Sequence, residues 1–390
     1  MKETGYPVSF FNLILKKNIL KDIIEMITSS GGAKMKRYIG LEDMSNVNCS
    51  NVLNIIREAG EISRKGISDE SGLSWAGMTK IVNKLFEKGF LEESRSTVAT
   101  AGAGRIPNVI TICKERNVII GIDINRIGFS GCVVNLAGEI LEEYFSEIEY
   151  TNKEELLGKI LSFTANIIKN HSHQKILAIG VAMQGELDVE TGVSMRFPHC
   201  EDWCNVPIKE LLQNHFHYKV YVEHDPNCML YSEIYREVTE NSILFRIDKS
   251  IGMAAYIDGN ILRGKGLLEV KNCIIVPEGK ECRSGKKGTL EAYVCDCIKN
   301  KEYNSDAMEE FIPPFANFIY NMAHIFNANK IILTGELINY KERFEDFLLS
   351  EFCKYANKDE IKIIFAEETK KVVYGAALIA AQSAIDEIEV

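Results

Sequence analysis

The sequence lacks any apolar run close to the ~20 residues that a transmembrane helix needs, so it predicts no membrane span. It also lacks an excess of positive charge: 45 Lys and Arg stand against 55 Asp and Glu, a formal net charge of −10. This balance excludes a protein coated in positive charge. It does not exclude one small DNA-contacting face, because phosphate binding depends on local charge.

The sequence also predicts neither a disulfide framework nor a secretory signal. The 11 cysteines are odd in number and scattered along the chain, which favours a reducing cytosol. The N-terminus has a short apolar patch, but it carries Glu3 and no small-residue cleavage site, which argues against a signal peptide. We therefore expect a cytoplasmic protein.

The composition is that of an ordinary globular protein with two or three domains: 390 residues, 46% hydrophobic and 26% charged. We place an N-terminal extension at residues 1–42, a small second domain at 43–113 and a larger domain at 117–390. The extension has an amphipathic piece at residues 10–27. This piece is either a helix packed on the second domain or an arm, and packing is favoured because apolar stripes are usually core.

The segment from Asn51 to Pro107 predicts a winged helix-turn-helix. A first amphipathic helix ends at Ala59-Gly60, and Ser63 is a predicted N-cap for a second helix that stops near Gly72. The short link before Ser74 has the spacing of a helix-turn-helix. Two short strands, at residues 90–91 and 109–112, flank the predicted wing.

The helix from Ser74 to Leu85 has two different faces. Its apolar residues recur at helical spacing, whereas the opposite face carries no carboxylate before Glu87 and can approach DNA without repulsion. We predict DNA contacts from Ser74, Thr79, Lys80, Asn83, Lys84 and, near the wing tip, Arg105. Two alternatives stay open: a helical subdomain that docks on the rest of the chain has the same pattern, and Ser74 is equally well explained as an N-cap.

From Val118 onward, strands alternate with helices, which predicts an α/β fold. Residues 118–123 form a nearly continuous apolar strand of the kind buried in a layered sheet. The strand at 220–225 delivers Asp225 to the C-terminal end of a sheet, where ligands gather. The order repeats later, with a hairpin at residues 242–257 that we expect Asp258-Gly259-Asn260 to close. The two similar halves predict two lobes around a cleft.

The order of several motifs resembles the ROK family, in its branch of transcriptional repressors with an N-terminal winged helix. The matching residues include Leu73-Ser74, Val82-Asn83-Lys84-Leu85, Gly104-Arg105-Ile106-Pro107, Gly121-Ile122-Asp123, Gly180 to Gly185, Glu190-Thr-Gly192, Trp203 to Pro207, Glu223-His-Asp225, Asp258-Gly259 and Gly288-Thr-Leu-Glu291. The resemblance implies a two-lobed actin-like ATPase (ribonuclease H-like) fold after the winged helix-turn-helix. It also implies a sugar pocket in the cleft, and a homodimer or dimer of dimers on palindromic double-stranded DNA operators.

The nucleotide motifs of the family's kinases are altered here. Residues 123–128 have side chains where a Gly-Gly-Thr turn belongs, and Asp248 stands in the second phosphate loop, where it would repel a polyphosphate. Thr334-Gly335-Glu336 replaces the adenosine-side Gly-Gly. We predict no kinase activity, and Asp225, at the kinase base position, would accept a hydrogen bond from a sugar hydroxyl.

The family's zinc site is also altered, and we predict no zinc and no other cofactor. Four ligands in tetrahedral geometry are needed, but the four matching positions are Asn272, Cys282, Ser284 and Thr289. Cys273, Cys295 and Cys297 lie near in sequence and could substitute. Buried thiols are the commoner explanation for such cysteines.

By the resemblance, six residues contact the sugar: His199, His224, Asp225, Glu269, Asn272 and Glu291. The carboxylates keep the acceptors that a polyol needs. Three functional interpretations therefore compete. The first is a repressor of carbohydrate metabolism controlled by a sugar or sugar derivative. The second is a sugar kinase with an added domain, and the third is a ligand-independent DNA-binding protein with a decayed pocket.

Overall fold

The computed structural model of the chain describes residues 41–95, 108–125, 128–198, 200–235, 240–248, 251–263, 268–282, 284–299, 305–336, 338, 341–356, 360–366 and 371–389. Most of the predicted N-terminal extension, the wing tip with Arg105, and His199 lie outside these residues. The chain divides into two compact units, residues 1–44 and residues 45–390. Of the first unit only residues 41–44 are described, and they are helical.

Three helices and a hairpin begin the described chain. They are α1 (Leu41–Ala59), α2 (Arg64–Ser71), α3 (Trp75–Glu87), β1 (Leu91–Arg95) and β2 (Asn108–Ile112). β1 and β2 pair antiparallel over five residues each. This order confirms the predicted helix-turn-helix and the two strands that flank the wing. We call α1, α2, α3, β1 and β2 the head.

Local sequence sets the ends of the head helices. The Oγ of Ser63 accepts a hydrogen bond from the Gly66 backbone N–H at 3.1 Å and caps α2. Gly72 ends α2 with a φ of 67°, a left-handed conformation that glycine adopts without strain. The apolar face of α3 is buried against α1, α2 and the hairpin in one core, through Met78, Ile81, Val82 and Leu85.

The first lobe is built on a five-stranded sheet in the order β5-β4-β3-β6-β9. Its strands are β3 (Asn117–Ile124), β4 (Gly128–Asn135), β5 (Ile140–Glu147), β6 (Lys175–Met183) and β9 (Lys219–His224). β3 is buried at every position, as its apolar sequence predicts. Because β3, β6 and β9 are parallel, their C-terminal ends meet at one edge, where ligands bind in open α/β sheets.

The second lobe has a five-stranded sheet in the order β12-β11-β10-β13-β14. Its strands are β10 (Ser242–Ile247), β11 (Ile251–Ile257), β12 (Asn260–Ile261), β13 (Lys330–Thr334) and β14 (Lys362–Phe365). One predicted turn was wrong: Asp258-Gly259 joins β11 to β12, whereas β10 and β11 pair up to Ile247 and Ile251. Asp258 and Gly259 have φ values of 49° and 84°, which suit a two-residue hairpin.

Two helices join the lobes, α6 (Asp225–Ile234) and α10 (Lys371–Asp386). Their buried residues form one core with side chains from both sheets, among them Ala182, Leu244 and Ile332. α10 approaches β6 closely, since a Cβ added to Gly180 would lie 2.0 Å from the carbonyl oxygen of Ala376. Both sheets therefore pack on the same two helices.

The remaining elements cover the two sheets. They are α4 (Lys153–Asn170), β7 (Glu186–Asp188), β8 (Val193–Arg196), α5 (Ile208–Phe216), a 3-10 turn (Val270–Asn272), α7 (Leu290–Lys299), α8 (Ser305–Ile325) and α9 (Lys341–Phe352). α4 packs on β3 and β4, and α8 on β13 and α9. Among the helices of the described ranges, none has both the length and the apolar character to cross a bilayer.

Candidate DNA-binding and ligand-binding sites

The polar face of α3 lies on the outside of the head, opposite the buried face. Ser74 is the N-cap of α3: its Oγ accepts from the Gly77 N–H at 3.2 Å. Its hydroxyl therefore has a structural role in the free protein, and its predicted DNA contact stays a prediction. The Thr79 hydroxyl donates to the Trp75 carbonyl at 2.7 Å, which leaves the hydroxyl oxygen able to accept.

The cationic and amide side chains of α3 follow further along the same helix. Lys80 and Asn83 are exposed and Lys84 is half-buried. The Asn83 Oδ1 accepts from the Arg64 Nη1 at 3.4 Å, so its amide nitrogen remains the group that could donate to a base edge. Arg64 was not predicted from the sequence, although it directly follows the Ser63 N-cap as the first residue of α2.

Asp225 lies at the edge where the parallel strands of the first lobe end. It is the first residue of α6, one position beyond the strand to which the sequence assigned it. It is 8% exposed, and Arg246 of the second lobe donates from Nη1 to its Oδ2 at 2.5 Å. Burial raises the pKa of Asp225 to about 6, while the Arg246 charge opposes this shift and the Asp248 charge adds to it.

Arg246 also pairs with a carboxylate of its own lobe. Its Nε lies 2.8 Å from the Oδ2 of Asp248, and the Oδ1 of Asp248 accepts from the backbone N–H of Glu336 at 2.8 Å. The Asp248 carboxylate thus binds a backbone N–H of the Thr334–Glu336 turn. By the resemblance, this turn replaces the Gly-Gly that lies beside adenosine in the family's kinases. The sequence signal for Arg246 was a single cation within an otherwise apolar strand.

A second arginine crosses between the lobes beside Asp225. Arg263 follows β12 and donates to the Oε2 of Glu223 from Nε at 2.8 Å and pairs from Nη2 at 2.7 Å. The Oε1 of Glu223 accepts from the Asn227 side chain at 2.8 Å and from the His224 N–H at 2.9 Å. Glu223 is therefore hydrogen-bonded at both oxygens within the protein, whereas the Arg246 contact of Asp225 involves its Oδ2.

His224, a predicted sugar contact, lies between these two carboxylates. It is 5% exposed, and within the described residues its Nδ1 is buried without a hydrogen-bond partner. Burial lowers the pKa of His224, and the neighbouring Glu223 charge opposes that shift. A neutral imidazole with one unused nitrogen is able to accept or donate one hydrogen bond to a hydroxyl.

Three further predicted sugar contacts lie around the 3-10 turn and α7. Asn272 donates to the Oε2 of Glu269 at 2.6 Å and accepts from Lys286 Nζ at 2.9 Å. Glu269 is exposed, and Glu291 is half-buried in the first turn of α7. The structure thus joins Glu269 and Asn272 directly, and Lys286 was not foreseen.

The loop that corresponds to the family's zinc site is held by hydrogen bonds. The Sγ of Cys282 lies 3.0 Å from the Oγ of Ser284, and this hydrogen bond lowers the pKa of the thiol to about 7. In the described part of the chain, no three His, Cys, Asp or Glu side chains group as metal ligands. The side chains of Cys295 and Cys297 fall outside it.

The first nucleotide turn is closed by a side chain. Asn125 donates from Nδ2 to the Oδ2 of Asp123 at 2.7 Å, and its Oδ1 accepts from the Gly128 N–H at 3.2 Å. The corresponding glycine turn of a kinase leaves its N–H groups for phosphate. Here, one of these donors is taken by the protein itself.

The described chain thus has a helix-turn-helix head followed by a two-lobed α/β domain, with the ion pairs Asp225–Arg246 and Glu223–Arg263 between the lobes. This defines a class: a helix-turn-helix head on a sugar-kinase-like fold. A family model described as the ROK family matches residues 119–297. The chain therefore contains a ROK family domain, as the motifs predicted.

The curated relatives are transcriptional regulators. The chain is 25% identical over 258 residues to the DNA-binding transcriptional repressor Mlc of Escherichia coli, covering 64% of this chain and 63% of that protein. It is 27% identical over 263 residues to NagC of the same organism, covering 65% and 64%. The xylose repressor of Caldicellulosiruptor bescii is 26% identical, with 65% of each covered. The aligned part of the chain thus spans somewhat less than two thirds of these relatives.

Solved structures support the fold. A ROK family transcriptional regulator described as a homologue of E. coli Mlc superposes with a TM-score of 0.75 at 19% identity, over 88% of this chain and 97% of that one. A ROK hexokinase from Thermus thermophilus gives a TM-score of 0.61 at 20% identity, over 69% and 99%. These likenesses confirm the predicted fold class.

Proposed function

We propose that this protein is a DNA-binding transcriptional regulator of carbohydrate metabolism, most simply a repressor, whose operator affinity is controlled by a sugar in the interlobe cleft. The proposal is carried by the contacts that side chains make where the nucleotide would bind. Asp248 accepts a hydrogen bond from the Glu336 backbone N–H, and Arg246 binds both Asp225 and Asp248. The cleft keeps groups for a polyol but has filled its nucleotide turns with its own side chains. Two of the named relatives are repressors, and NagC is a dual regulator.

The head supplies the DNA-binding surface in this proposal. Lys80 and Lys84 would contact phosphates, whereas Thr79 and Asn83 would contact base edges in the major groove. Arg105 and the wing would reach the minor groove. The negative net charge of the whole chain is compatible with this, because phosphate contacts depend on the charge of the contacting face. A homodimer or dimer of dimers would place two heads on a palindromic operator.

The cleft supplies the ligand-binding surface. His224, Asp225, Glu269, Asn272 and Glu291, together with His199, would contact a sugar or sugar derivative. To act as an inducer, the ligand must bind the DNA-incompetent arrangement more tightly than the DNA-competent one.

The same geometry argues against phosphoryl transfer and against a structural zinc. Asp248 would repel the phosphates of a nucleotide. Three of the four family ligand positions carry Asn272, Ser284 and Thr289 instead, and the Cys282 thiol is hydrogen-bonded to Ser284, which supports the proposal that no zinc is held.

The test is selection of operators from randomised duplexes, followed by footprinting with and without a panel of pentoses, hexoses and amino sugars. We expect a palindromic site that is protected by the protein and released by at least one sugar. Thermal shift identifies the sugar first, since a ligand at one hundred times its dissociation constant stabilises by about 2.7 kcal/mol. Sugar-dependent turnover of ATP would instead support the kinase. Operator protection that no sugar alters, with no thermal shift, would support the ligand-independent protein.

A further inference from the structure

The exposed face of α3 carries an aromatic residue that neither the motifs nor the comparisons assign. Trp75 is the first residue of α3, directly after the Ser74 N-cap, and it is 57% exposed. The other tryptophan, Trp203, is 2% exposed and donates from its indole N–H to Ser194 at 2.9 Å. The two indoles of the chain therefore lie in different parts of the protein, one on the head surface and one in the first lobe.

The position of Trp75 on α3 is fixed by the buried face of the helix. Residues four apart follow one another along one side of an α-helix, so Trp75, Thr79 and Asn83 form a single stripe. The Thr79 hydroxyl bonds to the Trp75 carbonyl, as expected for successive positions of that stripe. Trp75 thus extends the predicted base-contacting stripe to the N-terminal end of the helix, which is the end that meets base edges in helix-turn-helix proteins.

The neighbouring residues favour DNA over an apolar protein surface as the partner. Ala76, Lys80 and Lys84 form the adjacent stripe, and the first turn of α3 has no acidic residue. An apolar side chain in the major groove contacts the thymine C5-methyl group. Burial of an exposed indole against such a methyl group gives a sequence-dependent contact that the lysines cannot supply.

We propose that Trp75 is a specificity-determining residue that packs on a thymine methyl group in the major groove. This proposal rests on the proposed function. It adds a preference for thymine at one operator position. In this proposal Trp75 contacts a base, whereas Lys80 and Lys84 contact phosphates.

The first experiment compares wild type with Trp75→Ala on a selected operator and on random duplex. We expect the variant to lose about tenfold in operator affinity, with little change on random DNA and an unchanged salt dependence. Trp75→Phe should restore much of the affinity. Val47→Ala is a matched control, since Val47 is an apolar head residue on α1 that is 65% exposed. Because Trp75 is largely exposed, circular dichroism should show all variants folded.

The second experiment removes only the methyl group, by replacing single thymines of the operator with deoxyuridine. At one position we expect wild type to lose about fourfold in affinity, the factor that one buried methylene-sized group contributes. Trp75→Ala should be insensitive to the same replacement.

Fluorescence gives an independent readout in the full chain. In Trp203→Phe, Trp75 is the one remaining indole, and its quenching by acrylamide should decrease when operator is added. In Trp75→Phe, the Trp203 signal should not respond.

Two results would overturn the assignment of Trp75 while leaving the proposed function intact. One is operator affinity in Trp75→Ala equal to that of wild type. The other is a wild type that binds its operator but does not respond to deoxyuridine at any position. If no duplex is bound by wild type at all, the proposed function fails and the assignment fails with it.

Discussion

The guanidinium carbon of Arg57, on α1 of the head, lies 5.5 Å from the ring centroid of Tyr235, the residue that follows α6. Arg57 also donates to the side chain of Gln382 on α10. α6 starts at Asp225, a predicted ligand contact, and is 10 residues long, which spans about 15 Å at 1.5 Å per residue. One buried helix therefore connects the predicted ligand site with the contact that holds the head.

Replacing Arg57 should reduce the effect of the ligand on operator affinity without preventing either operator binding or ligand binding. Arg57→Met should keep most of its operator affinity and ligand affinity when each is measured alone, because neither predicted site contains Arg57. The effect of ligand on operator affinity should decrease by about 0.5–2 kcal/mol, the range found for residues that couple two sites. Fluorescence anisotropy of a labelled operator with and without the sugar measures this.

Lys362→Met is the control for that variant, since Lys362 is an exposed cation on β14. An Arg57→Met protein with the full ligand response would show that the signal reaches the head by another route.

Lys80 and Lys84 are predicted to contact phosphates, so Lys80→Ala and Lys84→Ala should each weaken binding to all sequences. The slope of log affinity against log salt concentration should fall by about one for each lost phosphate contact. Titrations of operator and random duplex at several salt concentrations test both statements, with Lys362→Ala as the control. A changed base preference without loss on random DNA would contradict the phosphate assignment.

The raised pKa of Asp225 predicts how the stability of the protein changes with pH. Its pKa is raised to about 6 in the folded protein, against about 3.9 in an unfolded chain. Between these values the folded state binds more protons, so the contribution of Asp225 to stability is present at low pH and is lost as pH rises through about 6. Relative to Asp225→Asn, wild type should lose on the order of 2 kcal/mol between pH 4 and pH 7. Urea unfolding of both proteins across this range measures it, and a constant difference would refute the raised pKa.

Replacing two glycines by alanine should change the stability of the protein in opposite directions. A Cβ at Gly180 would lie 2.0 Å from the Ala376 carbonyl oxygen, whereas a Cβ at Gly158, on the exposed side of α4, meets nothing within 4 Å. Gly180→Ala should lower the free energy of unfolding by about 1–3 kcal/mol. Gly158→Ala should raise it by up to about 1 kcal/mol. Thermal unfolding of the pair checks this, and equal effects would mean that α10 moves away from β6 at little cost.

Much of the fold could be predicted because its signals are local. Ser63 and Ser74 cap helices through hydrogen bonds to residues three positions on, and the buried face of α3 follows from the spacing of its apolar residues. The Asp258-Gly259 turn was found but assigned to the wrong hairpin. A turn signal specifies backbone conformation, and the strand partners of β11 depend on the whole sheet.

The sequence by itself therefore determined the head and the order of strands and helices. Only the tertiary structure decided what their residues do to one another. Arg246 bonds Asp225 across 21 positions of sequence and Arg263 bonds Glu223 across 40, because the two sheets end at a common edge. No local pattern encodes such pairs, since each is created by the approach of two lobes that fold around α6 and α10.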